Sequence, residues 1–323
     1  MSERVAIILA AGQSTRMNTK VAKVLHEVCG RPMLEWVLEA CRNAGVQKHI
    51  VVVGYGKEQI IGRYKDADDV VFVEQAEQKG TGHAVMCCRE QLEGFTGQTL
   101  ILCGDAPLIR TETLKVLIEK HEQEKSAVTL ATAVMNDPSG YGRIIRDGYG
   151  NIQGILEHND CNEKQLAITE INPGYFCFQT PHLLEALDKI RPNNVKNEYY
   201  LTDALHLLLE DGHKATAVTA VAAEDAMGVN NRQQLSLAGR IMQERIQQRL
   251  LGAGVTIVDP PNTWIDARAE IGQDAVIEPF TCISGAVKIG ENCRVGPFAY
   301  LHEGADLAAN SVVGVFQELK TDG

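Results

Sequence analysis

Residues 7–34, IILAAGQSTRMNTKVAKVLHEVCGRPML, decide how the first two thirds of the chain are read. An apolar run closes in a turn of small residues, Ala10-Ala11-Gly12. Arg16, Lys20 and Lys23 follow, and no acid stands between Gln13 and His26. The whole chain carries a formal charge of −11, so this basic stretch is out of character. A buried strand that ends in backbone N–H groups beside cations reads as a pocket for a polyanion such as a triphosphate.

Working outward, Val5–Ala10 reads as a strand and Pro32 as the opening of a helix to about Asn43, closed by Gly45. Strands are expected at His49–Val53, Val70–Val73, Thr99–Cys103 and Ala127–Val134. Between them lie a short helix after Gly56, a helix from an N-cap at Thr81 to about Leu92, and a helix over Thr111–Glu124. Strands alternating with helices predict an α/β, doubly wound, mostly parallel sheet of Rossmann-like type. From Gly140 to about Phe178 the strands shorten, which suggests an inserted antiparallel layer able to close over a substrate. Helices at Pro181–Ile190 and Thr202–Leu209 and a strand at Ala215–Ala220 complete this domain, 1–230.

The segment 231–252, including LSLAGRIMQERIQQRLL, reads as a long connector helix. Beyond it the period changes. Ile265, Ile271, Ile277, Ile283, Ile289, Val295, Leu301, Leu307 and Val313 recur every six residues, with Gly272, Gly290, Gly296 and Gly314 at turns. A six-residue aliphatic period predicts a short parallel β-helix over 253–323, a scaffold often found in trimers.

Composition sets the outer bounds. A length of 323 residues suits two domains, and 45% hydrophobic residues support a large core. The pI near 5.3 argues against non-specific nucleic-acid binding. Nine cysteines without a C-x-x-C pair read as reduced core thiols. No apolar run is long enough to span a bilayer, so a cytoplasmic protein without a membrane partner is expected. The nine histidines show no H-x-x-x-H pairing, and none is assigned to catalysis.

In an open α/β sheet, ligands bind beyond the carboxyl ends of the strands. Three clusters fall there: Leu9-Ala10-Ala11-Gly12, Gln75 to Thr81, and Asp105 in LILCGDAPLI. Small residues in the first let the backbone approach a nucleotide closely. Arg16 and Lys23 could neutralise charge at phosphorus. Asp105 suits Mg²⁺, which prefers few protein oxygens alongside phosphate oxygens. Asn230 in MGVNNR is a candidate second ligand, or alternatively a helix N-cap.

The ordered motifs LAAG-x-x-TRM-x(5)-KVL, EQAEQKGTGHAV, GDAPLI, GYGRI, ILEH, EINPGYF, NEYYLTDAL and GVNNR precede the hexads. In this the chain resembles the bifunctional N-acetylglucosamine-1-phosphate uridylyltransferase/glucosamine-1-phosphate acetyltransferase family. The resemblance implies a left-handed β-helix, a homotrimer, and Mg²⁺-dependent formation of UDP-N-acetylglucosamine and pyrophosphate from UTP and N-acetylglucosamine 1-phosphate. It implies that Leu9, Ala10, Ala11, Gly12, Gln75, Gly80 and Thr81 hold the nucleotide. Arg16 and Lys23 would act on phosphates, Asp105 and Asn230 on the metal. Gly104, Gly142, Glu157, Asn172 and Thr202 would bind the sugar.

The attacking sugar phosphate is already anionic and needs no general base. Four positions depart from the family pattern: Ser14 for Gly, Ala22 for Pro, Cys103 for Tyr and Pro173 for Thr. In GPFAYLHEGA, Tyr300 and His302 replace arginines of the acetyl-transfer site, and the chain stops at Gly323. Uridylyl transfer without acetyl transfer is therefore expected. The alternatives are a nucleotidyltransferase acting on another sugar 1-phosphate or NTP, and a non-catalytic sugar-nucleotide-binding scaffold.

Overall fold

A computed structural model describes residues 3–13 and 15–320; Ser14 lies outside the described residues. Two compact units emerge. One comprises Met1–His26 with Met33–Gln234, the other Glu27–Pro32 with Leu235–Gly323.

The first unit starts with β1 (Arg4–Ala10), seven residues of which six are buried. A short hairpin, β2 (Glu27–Val28) and β3 (Arg31–Pro32), precedes α1 (Met33–Asn43). Pro32 thus ends a strand, and the helix opens at Met33. Next come β4 (Lys48–Val53), α2 (Lys57–Tyr64) and β5 (Val70–Glu74). The helix expected from Thr81 is split at Cys87-Cys88 into α3 (Thr81–Met86) and α4 (Arg89–Leu92), and Gly80 takes the cap position. Then follow β6 (Gln98–Cys103), α5 (Thr111–Glu124), β7 (Val128–Val134), β8 (Gly142–Arg146), β9 (Ile152–Leu156) and α6 (Glu163–Leu166). The unit continues with β10 (Glu170–Gln179), α7 (Thr180–Lys189), α8 (Thr202–Glu210) and β11 (Ala215–Thr219), and α9 (Arg232–Gly252) begins at its end.

The sheet order is β11-β7-β10-β6-β1-β4-β5. β1 runs parallel to both β4 and β6. Successive residues of β1 feed opposite faces, as the period of two demands. Ile8 belongs to the core cluster that includes Leu34 and Leu38 of α1 and Leu117 of α5. Ile7 belongs to the other cluster, with Val85 of α3, Leu183 of α7 and Leu205 of α8. One expectation changes here. β10 is not part of an inserted layer; it lies antiparallel between β6 and β7 in the main sheet. Its Phe176-Cys177-Phe178 run is buried on both faces, which only a central strand accommodates. Among the described residues, the added antiparallel piece is the β8–β9 hairpin, joined to β10 through Gly142 and Asn172.

The second unit is a coil of two-residue strands from Thr256–Ile257 to Glu318–Leu319 in three parallel sheets. Trp264 pairs with Cys282 and Cys282 with Tyr300, so one coil takes 18 residues, three hexads. Of the aliphatic column, Ile265, Ile277, Ile283, Ile289, Val295, Leu301 and Val313 are buried. A second inward column of smaller residues runs beside it: Ala269, Ala275, Thr281, Val287, Cys293, Ala299 and Ala305. The β2–β3 hairpin belongs to this unit, with Ala267 N–H donating to Cys29 O at 3.0 Å. Its Gly30 has φ +83° and touches Asp266 so closely that no Cβ fits.

Two buried glutamines of α9 reach the first coil. The Gln243 amide brackets Ile265, accepting from its N–H at 3.0 Å and donating to its carbonyl. Gln247 donates to Thr263 O at 2.8 Å and Pro260 O at 3.0 Å. Phe280, Phe298 and Phe316 stack along one corner, with ring centroids 4.9 and 5.2 Å apart.

Candidate active site

From β1 the chain passes to β4 and β5 on one side, then returns to β6 on the other. Strand order therefore reverses beside β1, which places a crevice at the carboxyl ends of β1 and β6. A cavity of about 440 Å³ opens there. Its wall includes Leu9, Ala10, Ala11 and Gly12 after β1, Gln75, Gly80 and Thr81 after β5, Asp105 after β6, and Lys23 and Glu157.

Each wall segment is fastened by its own bonds. Gln78 Nε2 donates to Ala11 O at 3.1 Å, tying the second cluster to the first. Buried Gln75 donates to Gly80 O at 3.0 Å. Gly80 sits at φ +105°, and a Cβ there would lie 2.5 Å from Tyr199 O. Only glycine allows this close approach. Gly82 N–H donates to Tyr199 O at 2.8 Å, and Thr81 Oγ1 accepts from Leu201 N–H at 3.1 Å.

At the Asp105 wall, Val229 N–H donates to Asp105 O at 2.8 Å and brings Asn230 alongside. Lys23 Nζ donates to the Asp105 carboxylate and, at 3.1 Å, to Asn230 Oδ1. Both side-chain oxygens thus already converge on one cation. That donor set, a carboxylate and a neutral amide oxygen, fits a hard divalent ion. The N-cap of α9 is Asn231, whose Oδ1 accepts from Gln234 N–H at 2.8 Å, so Asn230 is left to face Asp105.

Glu157 accepts from the Thr202 hydroxyl at 3.1 Å. Burial raises its pKa, and the Thr202 bond offsets part of the rise. Gly142 stands close to Glu157, and a Cβ there would be 3.7 Å from Oε1. Asn172 pairs with Gly142, but its Oδ1 accepts from Gly174 N–H at 2.9 Å, closing a local turn. Gly104 donates to Leu9 O at 2.9 Å and holds β6 to β1 behind the wall. Gly104, Gly142, Asn172, Thr202 and Asn230 do not line the cavity itself. Arg16 is not brought in: it is exposed on the short 3₁₀ turn Thr15–Met17, whose buried residue is Met17.

Sequence reasoning missed His158, Lys196, Glu198 and Tyr200, which also line the cavity. Lys196 had a signal like that of Lys23, a cation in an acid-free stretch from Arg191 to Asn197. Cys103 lines the wall too, and burial lifts its thiol to about 12, so it stays protonated at neutral pH. The wall carries two lysines against three carboxylates, Asp105, Glu157 and Glu198. A polyphosphate entering it needs further positive charge brought with it.

The reversed strand order, the small-residue turn and the cation held by two oxygens define an α/β protein with a ligand crevice of the nucleotide-binding type. Residues 6–191 match the MobA-like NTP transferase domain, and residues 268–303 match the bacterial transferase hexapeptide (six repeats). The chain belongs to the family of MobA-like NTP transferases.

Among curated proteins it is similar to "Bifunctional protein GlmU" of Geobacillus sp. (strain WCH70). Identity is 46% over 279 residues, 86% of this chain and 60% of that protein. The protein of the same name from Listeria monocytogenes serotype 4b (strain CLIP80459) is 44% identical over 86% of this chain and 61% of its own length. The chain thus spans about 60% of the length of these relatives. A solved structure of UDP-glucose pyrophosphorylase complexed with UDP-glucose superposes with a TM-score of 0.60 at 18% identity. It covers 76% of this chain and 100% of its own, a likeness of fold alone. No helix among the described residues is long and apolar enough to cross a membrane.

Proposed function

We propose that unit one transfers a uridylyl group from UTP to N-acetylglucosamine 1-phosphate, with Mg²⁺, releasing pyrophosphate. The observation that carries this reading is the convergence of Asp105 and Asn230 on the Lys23 ammonium at a strand-order reversal. The similarity to the GlmU proteins supports the choice of substrates.

In this reading the Leu9–Gly12 turn and the Gln75–Thr81 loop seat the nucleotide. Asp105 and Asn230 would hold the metal, which when bound supplies charge neutralisation at the phosphates. Lys23 then turns its ammonium to a phosphate oxygen, and Lys196, which also lines the cavity, adds a second cation. Arg16 reaches the phosphates only if its turn moves. Glu157, an acceptor-only group when ionised, takes donor groups of the sugar, and Thr202 fixes its orientation. No proton needs to leave the nucleophile, so the chain's task is alignment and exclusion of water.

Residues 1–230 would carry the reaction, 231–252 connect, and 253–323 assemble a homotrimer in the cytoplasm. Acetyl transfer is proposed absent from this chain. In support, His302 Nε2 lies 2.6 Å from Glu318 and Tyr300 packs on the His302 ring, an arrangement poor in free positive charge.

The deciding experiment is pyrophosphate release over a panel of NTPs and sugar 1-phosphates. UTP with N-acetylglucosamine 1-phosphate should be turned over fastest, and Asp105→Ala should lower the rate by about 10²-fold or more. An unchanged rate in that variant would remove the metal assignment. Acetyl-CoA with glucosamine 1-phosphate should give no product, and robust turnover would refute the loss of acetyl transfer.

A further inference from the structure

A second cluster of metal-ligating side chains lies at the other end of the same sheet. α7 starts after Gln179, which pairs with Gln98 at the first residue of β6, whereas the cavity residue Cys103 is the last of that strand. His182 and Glu185 stand three residues apart on α7 and so share one face. His213 comes from the turn after α8. Its N–H donates to Leu208 O at 2.9 Å and that of Gly212 to Leu209 O at 3.0 Å, which fixes the backbone there. Lys189 binds Asp211 at 2.5 Å, a second tie between the same two segments.

The three side chains are poised around a common point. Their ligand atoms all lie within 4.8 Å of one another. The two imidazole centroids lie 4.2 Å apart, with the rings tilted at 45°. His182 Nδ1 is buried and has no hydrogen-bond partner among the described residues, because the Glu185 carboxylate stops 3.6 Å away. A buried ring nitrogen left without a hydrogen bond, beside a carboxylate and near a second imidazole, calls for a further partner. Ligand atoms around a tetrahedral ion with bonds of about 2.0–2.1 Å sit roughly 3.4 Å apart. Glu185 is exposed and has the rotamer freedom to close the remaining distance.

We propose that His182, Glu185 and His213 bind one divalent transition-metal ion, with zinc the type case, and that this ion fastens α7 to the turn leading into β11. Two imidazoles and one carboxylate suit zinc and its neighbours and disfavour Mg²⁺, which takes oxygen. The site is separate from the Asp105–Asn230 pair and serves no step of nucleotidyl transfer. The histidine spacing concealed it, since His213 is remote from His182 in sequence.

The test is calorimetric titration of the full chain with Zn²⁺ under excess Mg²⁺, with Co²⁺ absorption as the ligand readout. The expected result is one ion per chain, a cobalt spectrum without a thiolate band, and affinity lowered by about tenfold or more in Glu185→Gln and in His213→Ala. Both variants should keep wild-type pyrophosphate release. Glu185 is exposed, so its variant reports even if His213→Ala folds poorly. Absence of saturable binding, a thiolate band, or undiminished affinity in Glu185→Gln would each overturn the proposal.

Discussion

Lys23 is the residue on which the site turns. Its ammonium lies between Asp105 and Asn230, where a divalent ion is proposed, so the ligand-free chain carries its own competitor for metal. Free metal must displace a charge-assisted hydrogen bond, whereas a metal–nucleotide pair offers the lysine a phosphate in exchange. Lys23→Met should therefore lower nucleotidyl transfer by about 10²-fold, as loss of one transition-state cation does. The same substitution should tighten Mn²⁺ binding without nucleotide, measured by electron paramagnetic resonance. Equal Mn²⁺ affinity in the two proteins would show that the lysine does not guard the site. Lys23 and Asp105 were legible in the sequence because each breaks a local pattern: a cation in an acid-free run, a charge after an apolar strand. Arg16 shared the first pattern yet faces solvent, because the buried Met17 beside it sets which way the turn points. Lys196 and Tyr200 were not read as site residues, because only the fold brings that loop across to the Gly80 turn.

At the scale of elements, periodicity revealed the sheet and the coil, while connections and end effects escaped it. β10 was misplaced because a strand between antiparallel neighbours and one in a covering layer share the same local composition. The hexad repeat was plain, but the second inward column was not, since Ala, Thr and Cys carry a weak apolar signal. The polar bolts of α9 were hidden within an amphipathic pattern. Gln243 supplies both partners of Ile265, a residue in the first strand of its sheet. Replacing it with leucine leaves a buried N–H and carbonyl unpaired, at about 1–3 kcal/mol for each group. Gln243→Leu should thus lower stability by about 2–6 kcal/mol in urea denaturation, with nucleotidyl transfer retained. A midpoint equal to wild type would show that other groups serve Ile265.

Across the whole molecule, buried histidine chemistry sets an acid limit. His121 is enclosed between α5 and β7, its Nδ1 3.0 Å from Thr129 Oγ1, and burial depresses its pKa from 6.5 to about 4. A depressed value means that the unfolded chain takes up the proton first. The stabilisation is complete above pH 6.5 and falls as pH drops toward 4, where the accumulated loss is about 3 kcal/mol. His121→Gln should flatten the dependence of denaturation midpoint on pH in this window. A slope unchanged from wild type would assign the acid sensitivity to other groups.

The Gln243 amide has one more consequence. A solenoid of parallel coils invites another chain to add itself to its bare first rung, the route by which such repeats grow into fibres. Here a side chain borrowed from the preceding helix impersonates that missing rung at Ile265, so one of the three sheets is closed at its beginning and offers no free pairing groups there.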